Sequence, residues 1–229
     1  MKTVGIIGGL GPQTTSEFYL VIIFLCQERD KNTRPAVLIS SVPLPYKMEE
    51  EAITQNLGLE RYIPFLTKEA QRLEKAGADF IVMPCNSLHI FIKEIRESVS
   101  IPILSIVEET INFLKKKNMQ NVGIISTSIT TKNKLYESAF SENSIGYSIP
   151  DENQQNRITQ VIVNLVNARR EEKDRGELMS IIDSFSNQKL NCVVLACTDL
   201  QLLEPTHPTI KIFDTMKIFS QATVENILK

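Results

Sequence analysis

The sequence predicts an α/β fold of two similar lobes, each a small, mostly parallel sheet flanked by helices, related by pseudo-symmetry and separated by a cleft. Three observations lead there. Short β-rich runs alternate with longer helical patterns along the chain, as strand-helix-strand crossovers require. Several of the strands are apolar nearly throughout, which suits parallel strands covered on both faces. Finally, Val4-Gly5-Ile6-Ile7-Gly8-Gly9 resembles Val122-Gly123-Ile124-Ile125-Ser126-Thr127, and roughly 70 to 80 residues after each comes an apolar strand ending in a cysteine. A period this long, used twice, means two lobes and not a solenoid.

In chain order, strands are expected over residues 3–7, 36–41, 79–83, 101–106, 121–126, 192–196 and 210–213. Helices are expected over residues 16–28, 59–76, 87–98, 108–117, 131–141, 155–169 and 176–185, with a last one over 216–228. Leu88, Phe91, Ile92 and Ile95 follow the three-and-four spacing of one buried helical face, so that helix begins just after Cys85. Gly77 follows Leu73-Glu74-Lys75-Ala76 and precedes an apolar strand, the place for a glycine that ends a helix in the left-handed conformation. The lobe boundary is expected near Ile106-Val107. Residues 1–106 form the first lobe, 107–214 the second, and 215–229 return to pack on the first.

Composition narrows the function. With 229 residues and 42% hydrophobic content there is material for a sizeable core. A net charge of -2, from 25 basic and 27 acidic residues spread along the chain, offers no basic stripe for a phosphate backbone. Nucleic acid is therefore not an expected partner. The apolar run before Gly8-Gly9 is too short for a signal peptide, and no stretch approaches the roughly 20 apolar residues of a membrane span. Four cysteines, Cys26, Cys85, Cys192 and Cys197, fit a reducing compartment better than a disulfide scaffold. A soluble, cytoplasmic protein with free thiols is the expectation.

Two of those cysteines carry the chemistry. Cys85, in Met83-Pro84-Cys85-Asn86-Ser87, and Cys197, in Ala196-Cys197-Thr198-Asp199, each end an apolar run and lead into small polar residues. In a parallel sheet, ligands collect beyond the carboxyl ends of the strands, where loops enter helix N-termini. Unpaired N–H groups there stabilise a thiolate and also bind a carboxylate. A cysteine after an apolar run is commonly just a small buried residue; here two of them fall at equivalent places in two similar halves. Thiols facing each other across a cleft suit a reaction in which a proton leaves one face of a carbon and returns to the other. Cys26 and Cys192 read as core or edge residues.

Other uses of these residues fit less well. Cys85 and His89 are four apart and Cys192 and Cys197 five apart, and neither spacing is that of a zinc CxxC. His89 reads as an anchor of the helix start or a pocket residue, and His207, between Thr206 and Pro208, as a surface-loop residue. Gly5-Ile6-Ile7-Gly8-Gly9-Leu10-Gly11-Pro12 is not GxGxxG, and no acidic residue closes the second strand to hold a ribose. A glycine loop approached by a small carboxylate fits equally well.

Taken together, the glycine opening, the Gly77-Ala78-Asp79 lead into Met83-Pro84-Cys85-Asn86-Ser87-Leu88-His89, and Ala196-Cys197-Thr198-Asp199 resemble the cofactor-independent aspartate/glutamate racemase superfamily. Within it they are most similar to the aspartate racemase and broad-specificity amino-acid racemase branch. The resemblance runs the length of the chain. It implies two α/β lobes with the active site between them, no pyridoxal phosphate and no metal, a small amino-acid substrate, and a homodimer by analogy. Carried over by motif, Cys85 and Cys197 are the two acid/base residues. Asn86, Ser87, Thr127 and Thr198 hold the α-carboxylate and amino group, Leu10 and Gly11 shape the wall, and Asp199 meets the substrate ammonium or orients the second thiol.

The chain departs from the family in four places. Ser87 stands where threonine is usual, and Asp199 where glutamate is usual. Where aspartate racemases carry an Asp-Arg pair to grip the side-chain carboxylate, this chain reads Tyr46-Lys47, and Lys47 supplies a charge but no bidentate fork. A second lysine expected in the helix near Ile162 is missing, with Asn167 near its place. Aspartate, glutamate and less acidic amino acids all remain open as substrates. Two other functions stand beside racemisation. One is a superfamily isomerase or decarboxylase of the maleate or malonate type, and the other is a non-catalytic binder of small carboxylates.

Overall fold

The computed structural model describes residues 1–186, 188 and 190–229. Its elements are, in order, β1 (Val4–Gly8), α1 (Pro12–Arg29), β2 (Val37–Ser41), α2 (Tyr46–Gln55), α3 (Ile63–Lys75), β3 (Phe80–Val82), α4 (Ile92–Glu97) and α5 (Ile106–Lys116). The second half continues with β4 (Asn121–Ser126), α6 (Ser128–Lys132), α7 (Leu135–Glu142), β5 (Gly146–Ser148), α8 (Glu152–Val166), α9 (Glu172–Ser186), β6 (Cys192–Ala196), β7 (Lys211–Asp214) and α10 (Thr215–Ile227). Tight 3₁₀ turns lie at Leu59–Tyr62, Ser87–Phe91 and Leu200–Leu203.

The strands form two sheets of parallel strands, ordered β2-β1-β3 and β5-β4-β6-β7. The two orders superpose: β1 matches β4, β2 matches β5, and β3 matches β6. Even the odd strand has a counterpart, because Ile103 forms a single parallel bridge to Ile81 at the edge that β7 occupies in the other sheet. The strand expected over 101–106 is thus reduced to one bridge. Pro102 lacks an N–H for a longer ladder, and Ser105 already caps α5 by accepting the Glu108 N–H.

Period-two alternation in the strands produces three cores. Val4, Ile6, Phe80 and Val82 from one sheet and Val122, Ile124, Val194 and Ala196 from the other share a central core with Phe18 and Ile22 of α1, Tyr136 of α7 and Phe219 of α10. On the outer faces, Ile7, Ile81 and Met83 pack under α2, α3 and α4, while Ile125, Val193 and Leu195 pack under α8 and α9. The lobes are therefore joined through apolar packing. Strands apolar throughout are explained by this double coverage. Residues after 214 form α10, which packs on α1 and α5.

Some boundaries differ for identifiable reasons. The helix expected over 131–141 is broken into α6 and α7 by Lys134, whose φ of 51° is left-handed. The helix expected over 59–76 opens as a 3₁₀ turn before Pro64 enters the first turn of α3. Gly77 has a φ of 92°, and the Ala78 N–H reaches back to the Leu73 carbonyl, closing α3 as expected. No helix of the described residues is long and apolar enough to cross a membrane.

Candidate active site

The carboxyl ends of β3 and β6 deliver the two cysteines to one part-enclosed cavity with about 610 Å³ of unfilled space, its open mouth included. Each sulfur sits on a similar shelf. The backbone N–H groups of Ser87 and Leu88 favour a thiolate at Cys85, and those of Asp199 and Leu200 do so at Cys197, against the effect of burial, while the Leu200 N–H also bonds the Cys197 carbonyl at 3.2 Å. In both cases the donors lie two and three residues ahead, because each cysteine leads into a 3₁₀ turn. The helix expected from residue 87 starts in this tighter form and becomes α4 only at Ile92.

The surroundings of the two thiols differ. The Cys197 sulfur lies 3.9 Å from Asp199 Oδ2, and Asp199 Oδ1 accepts the Thr14 hydroxyl at 2.7 Å. Thr14 comes from the first turn of α1, brought close by the glycine loop. Gly11, at φ 84°, would place a Cβ 3.2 Å from Asp199 Oδ1, so only glycine lets this loop close on the carboxylate. Among the described residues no carboxylate touches the Cys85 sulfur, although the Asp199 and Glu49 charges reach it. Ser87 Oγ lies 2.8 Å from Thr127 Oγ1, and Thr127 caps α6 by accepting the Thr130 N–H.

Two buried residues fix the Cys85 shelf. His89 donates from Nδ1 to the Cys85 carbonyl at 2.7 Å and accepts the Ile106 N–H at Nε2 at 3.1 Å. One partner is an acceptor and the other a donor, so the imidazole is neutral; burial pushes its pKa down to about 4. Asn86 accepts the Tyr136 hydroxyl at 2.5 Å and donates to Thr215 Oγ1 at 3.0 Å. Thr215 in turn donates to the Leu195 carbonyl, two residues before Cys197. A buried hydrogen-bonded chain thus runs from one cysteine shelf to the other strand.

Burial dominates the electrostatics. It pushes Cys85 up to about 12 and Cys197 well above its ordinary value, with the Asp199 charge adding to both. Asp199 itself is raised by burial, against the Thr14 and Cys197 hydrogen bonds. Both thiols are protonated at neutral pH before a substrate arrives.

Nine of the ten residues singled out from the sequence line this cavity: Leu10, Gly11, Cys85, Asn86, Ser87, Thr127, Cys197, Thr198 and Asp199. Lys47 does not. It projects from the outer side of α2 with 85% of its side chain exposed, 3.9 Å from Glu51. Its helix turns Met48 and Ala52 inward, which leaves position 47 facing solvent. Cys26 and Cys192 are buried in the central core, as expected. His207 lies in a loop as expected, but its side chain is tucked against Asp183 at 2.7 Å and only 7% exposed. Among the described residues no group of three His, Cys, Asp or Glu is arranged to hold a metal.

The sequence reading missed the wall made by α2. Glu49, Ala52 and Ile53 line the cavity with Tyr62 and, from α8, Ile162 and Val166. The available signal was Met48, Ala52 and Ile53 at helical spacing after Pro45, with Glu49 on the cavity side.

Twin parallel sheets with cysteine-tipped strands facing one cavity place the protein among the two-lobed α/β enzymes. The chain belongs to the Asp/Glu/hydantoin racemase family, whose model matches residues 7–223. It is 27% identical over 230 residues to the broad-specificity amino-acid racemase RacX of Bacillus subtilis, covering 98% of each chain. In fold it is similar to the aspartate racemase of Picrophilus torridus (TM-score 0.83, 24% identity, 100% of this chain and 95% of that one). An aspartate racemase homologue from Pyrococcus horikoshii gives a TM-score of 0.80 at 23% identity, with both chains fully covered.

Proposed function

We propose that this protein is a cofactor-independent amino-acid racemase in which Cys85 and Cys197 work on opposite faces of the substrate α-carbon. The observation that carries this reading is the pair of equivalent shelves: two thiols from matching strands, each under two backbone N–H groups, lining one cavity. One thiolate removes the α-proton, and the opposing thiol delivers its own proton to the other face. The first cysteine ends protonated and the second as thiolate, so the reverse reaction runs from the state the forward one leaves.

The α-proton is weakly acidic, and its removal needs a close base, neutralised carboxylate charge and excluded water together. Asp199 takes the Cys197 proton across their contact, so that the negative charge passes to the Cys197 thiolate inside the cavity and Asp199 becomes a neutral acid. Ser87, Thr127 and Thr198 offer hydroxyls to the α-carboxylate, with Asn86 beside them and Leu10 and Gly11 forming the wall. Asn86 acts chiefly by holding the shelf, since both ends of its amide are engaged. Retention of both cysteines supports racemisation over isomerisation or decarboxylation of maleate or malonate type.

We assign residues 1–106 with 215–229 to one lobe and 107–214 to the other. The protein acts as a homodimer in the cytoplasm. Leu20 and Phe24, four residues apart on α1 and 47% and 58% exposed, supply apolar surface for a second copy. Sedimentation at micromolar concentration tests the dimer, which Phe24→Glu should dissociate. The racemase reading is tested by following α-proton exchange in deuterated water and loss of optical rotation across L- and D-amino acids, with no cofactor added. Exchange with at least one amino acid is expected; none with any would end the proposal.

A further inference from the structure

Strand β7 ends at Asp214, opposite Leu195 of β6, and the next residue, Thr215, donates its hydroxyl proton to the Leu195 carbonyl at 2.9 Å. A hydroxyl has only one proton to give. Thr215 Oγ1 can therefore only accept from Asn86, and the amide atom facing it at 3.0 Å must be Nδ2. That turns Oδ1 of the same amide toward the Tyr136 hydroxyl at 2.5 Å, which must donate. Thr110, also close to this hydroxyl, gives its own proton to the Ile106 carbonyl at 2.7 Å and so offers no donor in its place.

The chain of donors thus has a single direction, from Tyr136 to Leu195, fixed at its end by a backbone carbonyl. It is also dry, with Tyr136 and Thr215 fully buried and Asn86 2% exposed. Breaking any link would leave a buried polar group unpaired, which is costly. Each member belongs to a different element. Tyr136 comes from α7, Thr215 opens α10, and Leu195 lies two residues before Cys197. Asn86 follows Cys85 directly, and its own carbonyl accepts the His89 N–H at 3.0 Å inside the turn of that shelf.

Resting on the racemase reading above, we infer that Tyr136 and Thr215 are positioning residues for the proton transfer: acting through Asn86, they hold the Cys85 shelf in register with β6, so that the two sulfurs stay opposed across the α-carbon. Neither residue lines the cavity, so neither acts on the substrate directly. Two thiols must reach opposite faces of one atom in the same complex, and a displacement of about 1 Å in such an arrangement costs on the order of 100-fold in rate. The chain enters the cavity wall only at Asn86. Its loss therefore falls on the chemical step and spares most of the binding surface.

The test measures kcat, KM and urea stability for wild type, Tyr136→Phe, Thr215→Val, Thr215→Ser, the double variant Tyr136→Phe/Thr215→Val, and Leu178→Ala, on the same L- and D-amino acids that test the racemase reading. Leu178 is buried on α9 and does not line the cavity, so its truncation lowers stability without touching the chain. Tyr136→Phe and Thr215→Val should each lower kcat of the folded protein by at least about tenfold, with KM within about threefold of wild type. Thr215→Ser keeps the hydroxyl and should hold kcat within about threefold. The double variant should lose no more than the worse single one, because both side chains act through one amide. Variants that lose stability but keep kcat, as Leu178→Ala should, would make Tyr136 and Thr215 merely structural and overturn the inference; single losses that multiply in the double variant would overturn it too. If Tyr136→Phe does not fold, the contrast between Thr215→Val and Thr215→Ser decides alone, and equal kcat in those two would overturn the inference. Wild type inactive on every amino acid would sink the racemase reading and this inference together, whereas an active wild type with unimpaired variants would sink the inference only.

Discussion

The two cysteine shelves share one backbone plan and differ in what surrounds it. Both cysteines follow a parallel strand, enter a 3₁₀ turn and sit under the N–H groups two and three residues ahead. Cys197 is 5% exposed and has a carboxylate beside its sulfur. Cys85 is half-buried, flanked by hydroxyls, and clamped from behind through its carbonyl by His89. Duplication of a fold explains the shared plan. The difference teaches that the halves have divided the labour: one shelf carries its own proton acceptor, and the other is held rigid to face it.

The largest effect expected from breaking this comparison is at the sulfurs. Cys85→Ser and Cys197→Ser should each lower racemisation by at least about 1,000-fold, since a hydroxyl is a far weaker acid than a thiol. Full activity in either variant would remove that residue from the mechanism. Next comes the asymmetric neighbour. Asp199→Asn should slow turnover by about 100-fold, with abstraction by Cys197 affected more than abstraction by Cys85. Enantiomer-resolved exchange rates measure this, and equal slowing of both directions would contradict the division of labour.

A third prediction concerns His89 and the fold. The folded state keeps this buried imidazole neutral down to about pH 4, whereas the unfolded chain protonates it near its ordinary value of 6.5. The unfolded state therefore binds more protons between these values. Stability should be full above pH 6.5 and decline by about 3 kcal/mol as the pH falls to 4. Urea titrations over that range should show the decline in wild type and a flatter profile in His89→Asn. The smallest effect is on thiol reactivity: with Cys85 pushed up to about 12 by burial, its alkylation by iodoacetamide should rise about tenfold per pH unit from 7 to 10. A plateau near pH 9 would mean that the thiol is not held in a desolvated site.

The frame of this site was legible in the sequence because it is written in local patterns. Doubly covered strands show as apolar runs, Gly77 marks a helix end, and repetition of the Val-Gly-Ile-Ile run exposes the duplication. Cys85 and Cys197 stand out for the same reason, as thiols where such runs stop. What escaped depends on contacts distant in sequence. The edge strand β5 is three residues long, too short for a periodic signal. Helix α2 buries only Met48 and Ala52 in an otherwise polar segment, so its register, which turns Glu49 in and Lys47 out, is set by packing on the first sheet. The Tyr136–Asn86–Thr215 chain links residues 50 and 129 positions apart and has no local signature.

The central claim is that two thiols act on opposite faces of one α-carbon. The direct measurement is early-time racemisation of a single protiated enantiomer in deuterated water, with both enantiomers separated and analysed for α-deuterium before equilibrium. Deuterium in the product enantiomer and little in the recovered substrate is the predicted result, because the proton leaves to one cysteine and the deuteron arrives from the other. Product that retains the original proton, or deuterium appearing equally in both enantiomers from the first turnover, would point to a single base and contradict the account.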